Sequence, residues 1–212
     1  MPTDERMMEL RTQAIGPWQT NSYVLICPTT RRSVLIDPPG EPETLLEMLA
    51  DSDPTAILLT HSHMDHTGAL NEMRVRLKVP VMAHPGRHAG RKTLEGDHWL
   101  SHNQLVRVGD HALEAYHTPG HTDDMICFAI LDDTRTIVGD AIFEGGPGHT
   151  SSAEAFQTTL QTLRNIILGW QDDTVCYPGH GPSFRLGDQR LDIEAFLSRD
   201  RGDFFGDATW DM

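Results

Sequence analysis

Apolar positions along this chain fall in short runs broken by Gly, Pro, Asp and Asn, and the spacing inside each run separates strands from helices. Asn21 to Cys27 (NSYVLIC) and Ser33 to Ile36 (SVLI), parted by the turn-like PTTRR, predict a β-hairpin after an extended opening segment. Pro42 suits a first helical turn, and Leu45, Leu46, Met48 and Leu49 supply the apolar face of a short helix. A strand at Ala56 to Thr60 (AILLT) runs straight into HSHMDHTG, after which Leu70, Met73 and Leu77 recur at helical spacing through 69–78. Val79 to His84 predicts a further strand, and 85–103, rich in His, Gly and charge, reads as helix plus loop. Alternation at Leu113 to His117 predicts a strand ending in TPGHTDD, and the runs MICFAIL and TIVGDAIF flank DDTR as a hairpin. Ser151 with Glu154 carries the capping-box signature of a helix whose Phe156, Leu160, Leu163 and Ile167 share one face. TVCY then leads into PGHGP, followed by a helix around Leu191 to Leu197 and the tail RGDFFGDATWDM. Strands alternate with helices in both halves, which predicts sheets covered by helices in one domain over 1–212 with a short tail at 199–212.

Composition narrows the function classes. The 212 residues carry 17 basic and 31 acidic side chains, a net charge of −14, so the expectation is no nucleic-acid partner and no anionic membrane surface. Cys27, Cys127 and Cys176 lie far apart with no CxxC pair, which argues against a disulfide framework or a cysteine-built zinc ribbon and for a reducing, cytoplasmic setting. No apolar run approaches the ~20 residues of a membrane span, and the opening MPTDERMMEL lacks the order of a signal peptide. Twelve histidines beside the acid excess are the ligand types of a metal site.

Those histidines concentrate where strands end. His61, His63, Asp65 and His66 fall within six residues after AILLT. On extended backbone His61 and His63 point the same way, while Asp65 and His66 lie beyond the bend and can serve a second centre. His121, Asp140 and His180 each follow an apolar strand and a glycine, which permits the turn that lifts the next side chain off the strand end.

THSHMDHTG followed in order by TPGHT, VGDAIFEGG and YPGHG resembles the metallo-β-lactamase-fold hydrolases, and within them the hydroxyacylglutathione hydrolase (glyoxalase II) group, over roughly Asn21 to Gly181. The resemblance implies an α/β fold, an αββα four-layer sandwich with two β-sheets between helical layers. It implies two divalent metal ions, the first held by His61, His63 and His121, the second by Asp65, His66 and His180, with Asp140 bridging. Two cations ~3.5–4 Å apart bring a bound water to near-neutral pKa and polarise an electrophile, so the expected nucleophile is a bridging hydroxide oriented by Asp65. Zinc is the first expectation, and the same donors accept iron or manganese. Thr60, His117 and Thr118 are placed in sequence to hold the outer ring nitrogens of the ligands.

Two departures from the glyoxalase II pattern stand out. His149 occupies the place of an expected arginine after the Gly-Asp loop, and only about thirty residues follow His180, where that group carries a helical extension gripping glutathione. The expected activity is therefore hydrolysis of a small ester or thioester, ahead of lactone or phosphodiester substrates. A mononuclear-iron persulfide dioxygenase-like enzyme and a non-catalytic metal-binding or electron-carrier module are the alternatives. Retention of both Asp65 and His66, with Asp140 in place of a cysteine, disfavours β-lactam hydrolysis. Trp18, His84, His88, Trp99 and Phe143 are the expected cleft liners, His149 an expected substrate or outer contact, and a small molecule the expected partner, with homo-oligomerisation left open.

Overall fold

The period-two alternation along the strands sets the layering of the molecule. A computed structural model describes residues 7–86 and 96–212. One sheet contains β1 (Glu9–Ile15), β2 (Thr20–Ile26), β3 (Arg32–Ile36), β4 (Asp53–Leu58), β5 (Val81–Ala83) and β6 (His98–Trp99), ordered β1-β2-β3-β4-β5-β6. Its first three strands pair antiparallel and the rest parallel. The second sheet joins β7 (Gln104–Val108), β8 (His111–His117), β9 (Ile126–Ile130), β10 (Arg135–Gly139), β13 (Val175–Pro178) and β14 (Phe184–Arg185) in the order β14-β13-β10-β9-β8-β7. Only β10 and β13 pair parallel in it. A small ribbon, β11 (Ile142–Phe143) with β12 (Gly146–Pro147), stands apart.

Three apolar clusters separate four layers. Tyr23, Leu25, Val34, Ile36, Ala56 and Leu58 of the first sheet meet Val106, Leu113, Ala115, Ile126, Phe128 and Ile137 of the second. The intervening residues point the other way. Val24, Ile26, Leu35 and Ile57 face Leu45 of α1 (Pro42–Met48) and Leu70 and Met73 of α3 (Leu70–Leu77). On the far side, Cys127, Val138 and Cys176 face Phe156, Leu160 and Leu163 of α4 (Ala153–Asn165) and Ile193 and Phe196 of α5 (Leu186–Leu197). Central strands buried on both faces read as continuous apolar runs. The αββα sandwich expected from the sequence is the fold observed.

The structure corrects several local expectations. Ser152, not Ser151, caps α4: its backbone is extended and its Oγ accepts from the Ala155 N–H at 3.1 Å, which puts Glu154 one position too early for a capping box. The run TIVGDAIF is not one strand, because Gly139 takes a left-handed φ of 49° and ends β10 before Asp140. The strand β7 lies where no strand was expected. It is the last strand of its sheet, and Leu105 points to solvent between inward-facing residues. The last helix begins earlier than expected, at Leu186, and Leu191 is exposed. Of the 85–103 segment, 98–99 form strand β6, while 87–95, including His88, lie outside the described residues. Among the described residues no helix is long and apolar enough to cross a membrane.

Phe128 sits fully buried between the sheets, on the face opposite the helices. Phe128→Ala is expected to cost about 3–5 kcal/mol of unfolding free energy in urea denaturation, and to leave the metal stoichiometry of the folded fraction unchanged.

Candidate metal centre

The residues of the centre lie on connections at one end of the strands, Asp65 and His66 on a single helical turn there. His61 follows β4 after Leu59 and Thr60, and the chain bends at His63, the N-cap of a single helical turn α2 (Met64–Thr67). The bend leaves His61 and His63 on one side and Asp65 and His66 on the other. His61 Nε2 and His121 Nε2 stand 3.0 and 2.9 Å from His63 Nδ1. One ring nitrogen offers either one proton or one lone pair, so it cannot form hydrogen bonds of one kind with both neighbours. Three imidazole nitrogens gathered in this way match a trigonal donor set. On the other side of the bend, His180 Nε2 lies 3.2 Å and His66 Nε2 3.8 Å from Asp65 Oδ2. Asp140 lies between the groups. Its Oδ1 is 3.4 Å from His66 Nε2, and its Oδ2 is 3.7 Å from both His121 Nε2 and His180 Nε2.

The outer ring nitrogens fix these orientations. His121 Nδ1 faces the His149 carbonyl at 2.8 Å, His180 Nδ1 the Trp18 carbonyl at 3.0 Å, and His66 Nδ1 the Asp37 carboxylate at 2.9 Å. All three oxygens only accept, so each ring carries a proton on Nδ1 and directs Nε2 inward. His61 reaches the same tautomer by one more step. Thr60 donates its hydroxyl to Asp37 Oδ2 at 2.6 Å, which leaves its oxygen to accept from His61 Nδ1 at 3.1 Å.

Asp37 is therefore the hub of the site, and sequence reasoning missed it. Its carboxylate also accepts the Thr60 backbone N–H at 2.8 Å, and it is 1% exposed. The available signal was the one applied to Asp140: an acidic residue directly after an apolar strand, here SVLI. Asn21 was missed too. Its amide donates to the carbonyls of Pro178 and Gly181 at 3.0 and 2.9 Å, and Tyr23 donates to Pro178 at 2.6 Å, so β2 of one sheet clasps the loop that carries His180 on the other. Gly179 makes the close approach possible, since a Cβ there would stand 2.1 Å from Asp140 Oδ1.

Other expected residues divide. Thr60 takes the outer role foreseen for it. Thr118 instead bonds Cys127 and Met125. His117 stacks on His84 at 3.7 Å and meets the Asp123 carbonyl at 2.8 Å, so its bonds lie outside the ligand network. His149 contributes its backbone carbonyl, while its ring pairs with Asp207. Trp18, with His63, Met64 and Asp65, lines a cavity of about 310 Å³ beside the donors, and Phe143 lies 6.4 Å from the His180 ring. Trp99 is partly exposed on β6.

The electrostatics favour a cation at the centre. Burial pulls His66 down, yet the Asp140 and Asp37 carboxylates override it and hold the imidazole up at about 10. Burial raises Asp140, but His66, His121 and His180 outweigh it and keep the carboxyl below its ordinary range. The hydrogen bond from His180 takes Asp65 down to about 2. His66 Nε2 and Asp140 Oδ1 are both buried without a hydrogen-bond partner, facing each other. Buried polar atoms in that state need a ligand. Imidazole and carboxylate donors in groups His61/His63/His121, His61/His66/Asp140 and Asp65/His66/His180 fit divalent cations of borderline softness.

Residues 15–185 match the metallo-beta-lactamase superfamily model. The chain belongs to the metallo-beta-lactamase superfamily. A probable metallo-hydrolase, YqgX of Bacillus subtilis, is 32% identical over 82% of this chain and 91% of its own length. The hydroxyacylglutathione hydrolase GloC of Haemophilus influenzae is 25% identical over 78% of this chain and 88% of its own length. The chain spans 65% of the length of the probable hydroxyacylglutathione hydrolase glo2 of Schizosaccharomyces pombe, at 31% identity over 78% of this chain. Among solved structures, the B3 metallo-beta-lactamase BLEG-1 superposes with a TM-score of 0.77 at 29% identity, over 90% of this chain and all of that one. ETHE1 from Myxococcus xanthus gives 0.78 at 26% identity, over 91% and 86% of the two chains. Members of this superfamily bind divalent metals, and the superfamily's metallo-hydrolases are enzymes.

Two predictions test the hub and the charge balance. Asp37→Ala is expected to weaken metal binding by about 10–100-fold in competition titrations while the far-ultraviolet spectrum is kept. In metal-free protein His66 has a raised pKa in the folded state, so its contribution to stability is full below about 6.5 and is lost as pH rises through about 10. The lowered Asp65 contributes above its ordinary carboxylate range and loses that contribution as pH falls toward about 2. Thermal denaturation across pH is expected to show a smaller alkaline decline in His66→Gln than in the wild type.

Proposed function

We propose that the protein is a binuclear metal-dependent hydrolase of small esters or thioesters, glyoxalase II-like in chemistry. The observation that carries this reading is the second donor group, Asp65, His66 and His180, assembled beside the three-histidine group with Asp140 between them. Zinc is the first choice of metal, with iron or manganese suited to the same donors. His61, His63 and His121 would hold one ion and Asp65, His66 and His180 the other, with Asp140 lying between the two groups. Two such ions would supply a water of near-neutral pKa and a Lewis acid for the substrate carbonyl.

The chain's own groups do the rest. Asp65, kept ionised by His180, presents a carboxylate beside the cavity that would orient the attacking hydroxide by accepting its hydrogen bond. Trp18 and Met64, 62% and 61% exposed, offer apolar walls to the carbon skeleton of the substrate. The name carried by the Haemophilus influenzae relative, a hydroxyacylglutathione hydrolase, supports thioester hydrolysis. Three free, buried cysteines support a reducing, cytoplasmic setting.

The three-histidine group His61, His63 and His121, able to hold one ion by itself, favours a second reading, a mononuclear-iron persulfide dioxygenase-like enzyme. The test is a substrate panel of thioesters, esters, lactones, phosphodiesters and a β-lactam on protein of measured metal content. Two metals per chain with thioester turnover is the expected result. One iron per chain with oxygen consumption overturns it. Asp65→Asn is expected to lower kcat by about 10²–10⁴-fold with the fold intact.

A further inference from the structure

The loop 145–150 is held between the metal centre and the chain that follows α5. Gly148 abuts the centre: a Cβ there would stand 1.9 Å from the Asp140 carbonyl oxygen and 3.2 Å from the His121 Cβ. Gly146 abuts the later segment: a Cβ there would stand 2.3 Å from the Ala208 carbonyl oxygen. Thr150 and Gly206 exchange both backbone hydrogen bonds, at 3.1 and 2.9 Å, and the Trp210 N–H donates to the Gly145 carbonyl at 2.9 Å. The segment itself is well seated. Trp210 is 5% exposed with its ring edge-on to Phe196 at 5.3 Å, and Phe204 meets Phe156 at 4.9 Å. The aromatic tail thus docks on the core of its own chain. Between Gly148 and Thr150 stands His149, whose carbonyl accepts the His121 Nδ1 proton.

We propose that residues 206–210 are a positioning element for the metal centre. By pairing with the loop they set where the His149 carbonyl lies, and that carbonyl holds the His121 imidazole with Nε2 turned toward His63. The ring of His149 also pairs with Asp207 of the segment, but both side chains are exposed and such a pair holds little, so the main-chain ties carry the placement. Loss of such an outer partner frees the ligand ring to rotate and removes the acceptor that fixes its tautomer. The inference rests on the reading of His121 as a metal ligand.

The experiment uses the full chain, a deletion of 204–212, Gly146→Ala and His149→Ala. Gly146→Ala wedges a methyl group between loop and segment while leaving every side chain of the segment in place. Zinc affinity is read by competition titration in a His180→Ala background, where the three-histidine group binds alone, and the downfield Nδ1–H proton of His121 is followed by NMR in metal-free protein. The deletion and Gly146→Ala are expected to weaken zinc by about 10–100-fold and to remove the His121 proton signal, with far-ultraviolet spectra unchanged. His149→Ala is expected to leave both readings as they are. If the deletion fails to fold, Gly146→Ala decides. Folded variants with wild-type affinity and an intact His121 signal overturn the proposal. A wild-type chain that takes up no zinc overturns the metal reading instead, and the His121 signal in metal-free protein still tests the positioning separately.

Discussion

The buried carboxylate of Asp37 is the interaction on which the arrangement of the centre depends. It accepts from the Thr60 amide, the Thr60 hydroxyl and the His66 ring. A carboxylate removed from water costs several kcal/mol unless its lone pairs are occupied, so the three donors have little freedom to leave. That demand welds the end of β3 to the end of β4 and, through Thr60, sets the tautomer of His61. One acidic side chain thereby orients a histidine in each donor group.

A second constraint comes from joining two sheets that are linked by a main-chain bridge from Thr20 of β2 to His180 rather than by a strand pairing among the described residues. The apolar contact between them is non-directional and tolerates sliding, whereas a cluster of candidate donors drawn from both sheets does not. The directional ties are polar: Asn21 and Tyr23 grip the Pro178 to Gly181 turn, and the His180 ring reaches the Trp18 carbonyl. Trp18 therefore serves twice, as a wall of the cavity and, through its backbone, as the support of a donor. The centre is a product of this clasp as much as of its ligands.

The ligand types were legible because metal chemistry restricts donors to a few residues, and the strand-to-turn context of HSHMDH, PGH and GD announces a shared edge. The layers were legible because strands buried on both faces leave long apolar runs. Asp37 was as visible as Asp140 in principle, but an isolated acidic residue before Pro-Pro is also ordinary turn chemistry. Strand β7 escaped because its outward Leu105 breaks the expected polar alternation. Ser152 displaced Ser151 as the cap because the choice between adjacent serines is made by local backbone angles, which side-chain type does not encode.

By itself, then, the amino-acid sequence determined the fold class and the run of histidine and carboxylate types at the strand ends, since periodicity and side-chain chemistry are local properties. Tertiary structure decided everything carried by backbone carbonyls. The oxygens of Trp18 and His149 hold two of the donor rings, and any residue type supplies a carbonyl, so no pattern in the chain marks which one matters. It also redirected His117 to a stack with His84 and gave the role expected of the His149 ring to its main chain. Contacts between residues more than a hundred positions apart, such as Trp18 with His180, exist only once the sheets have closed on each other.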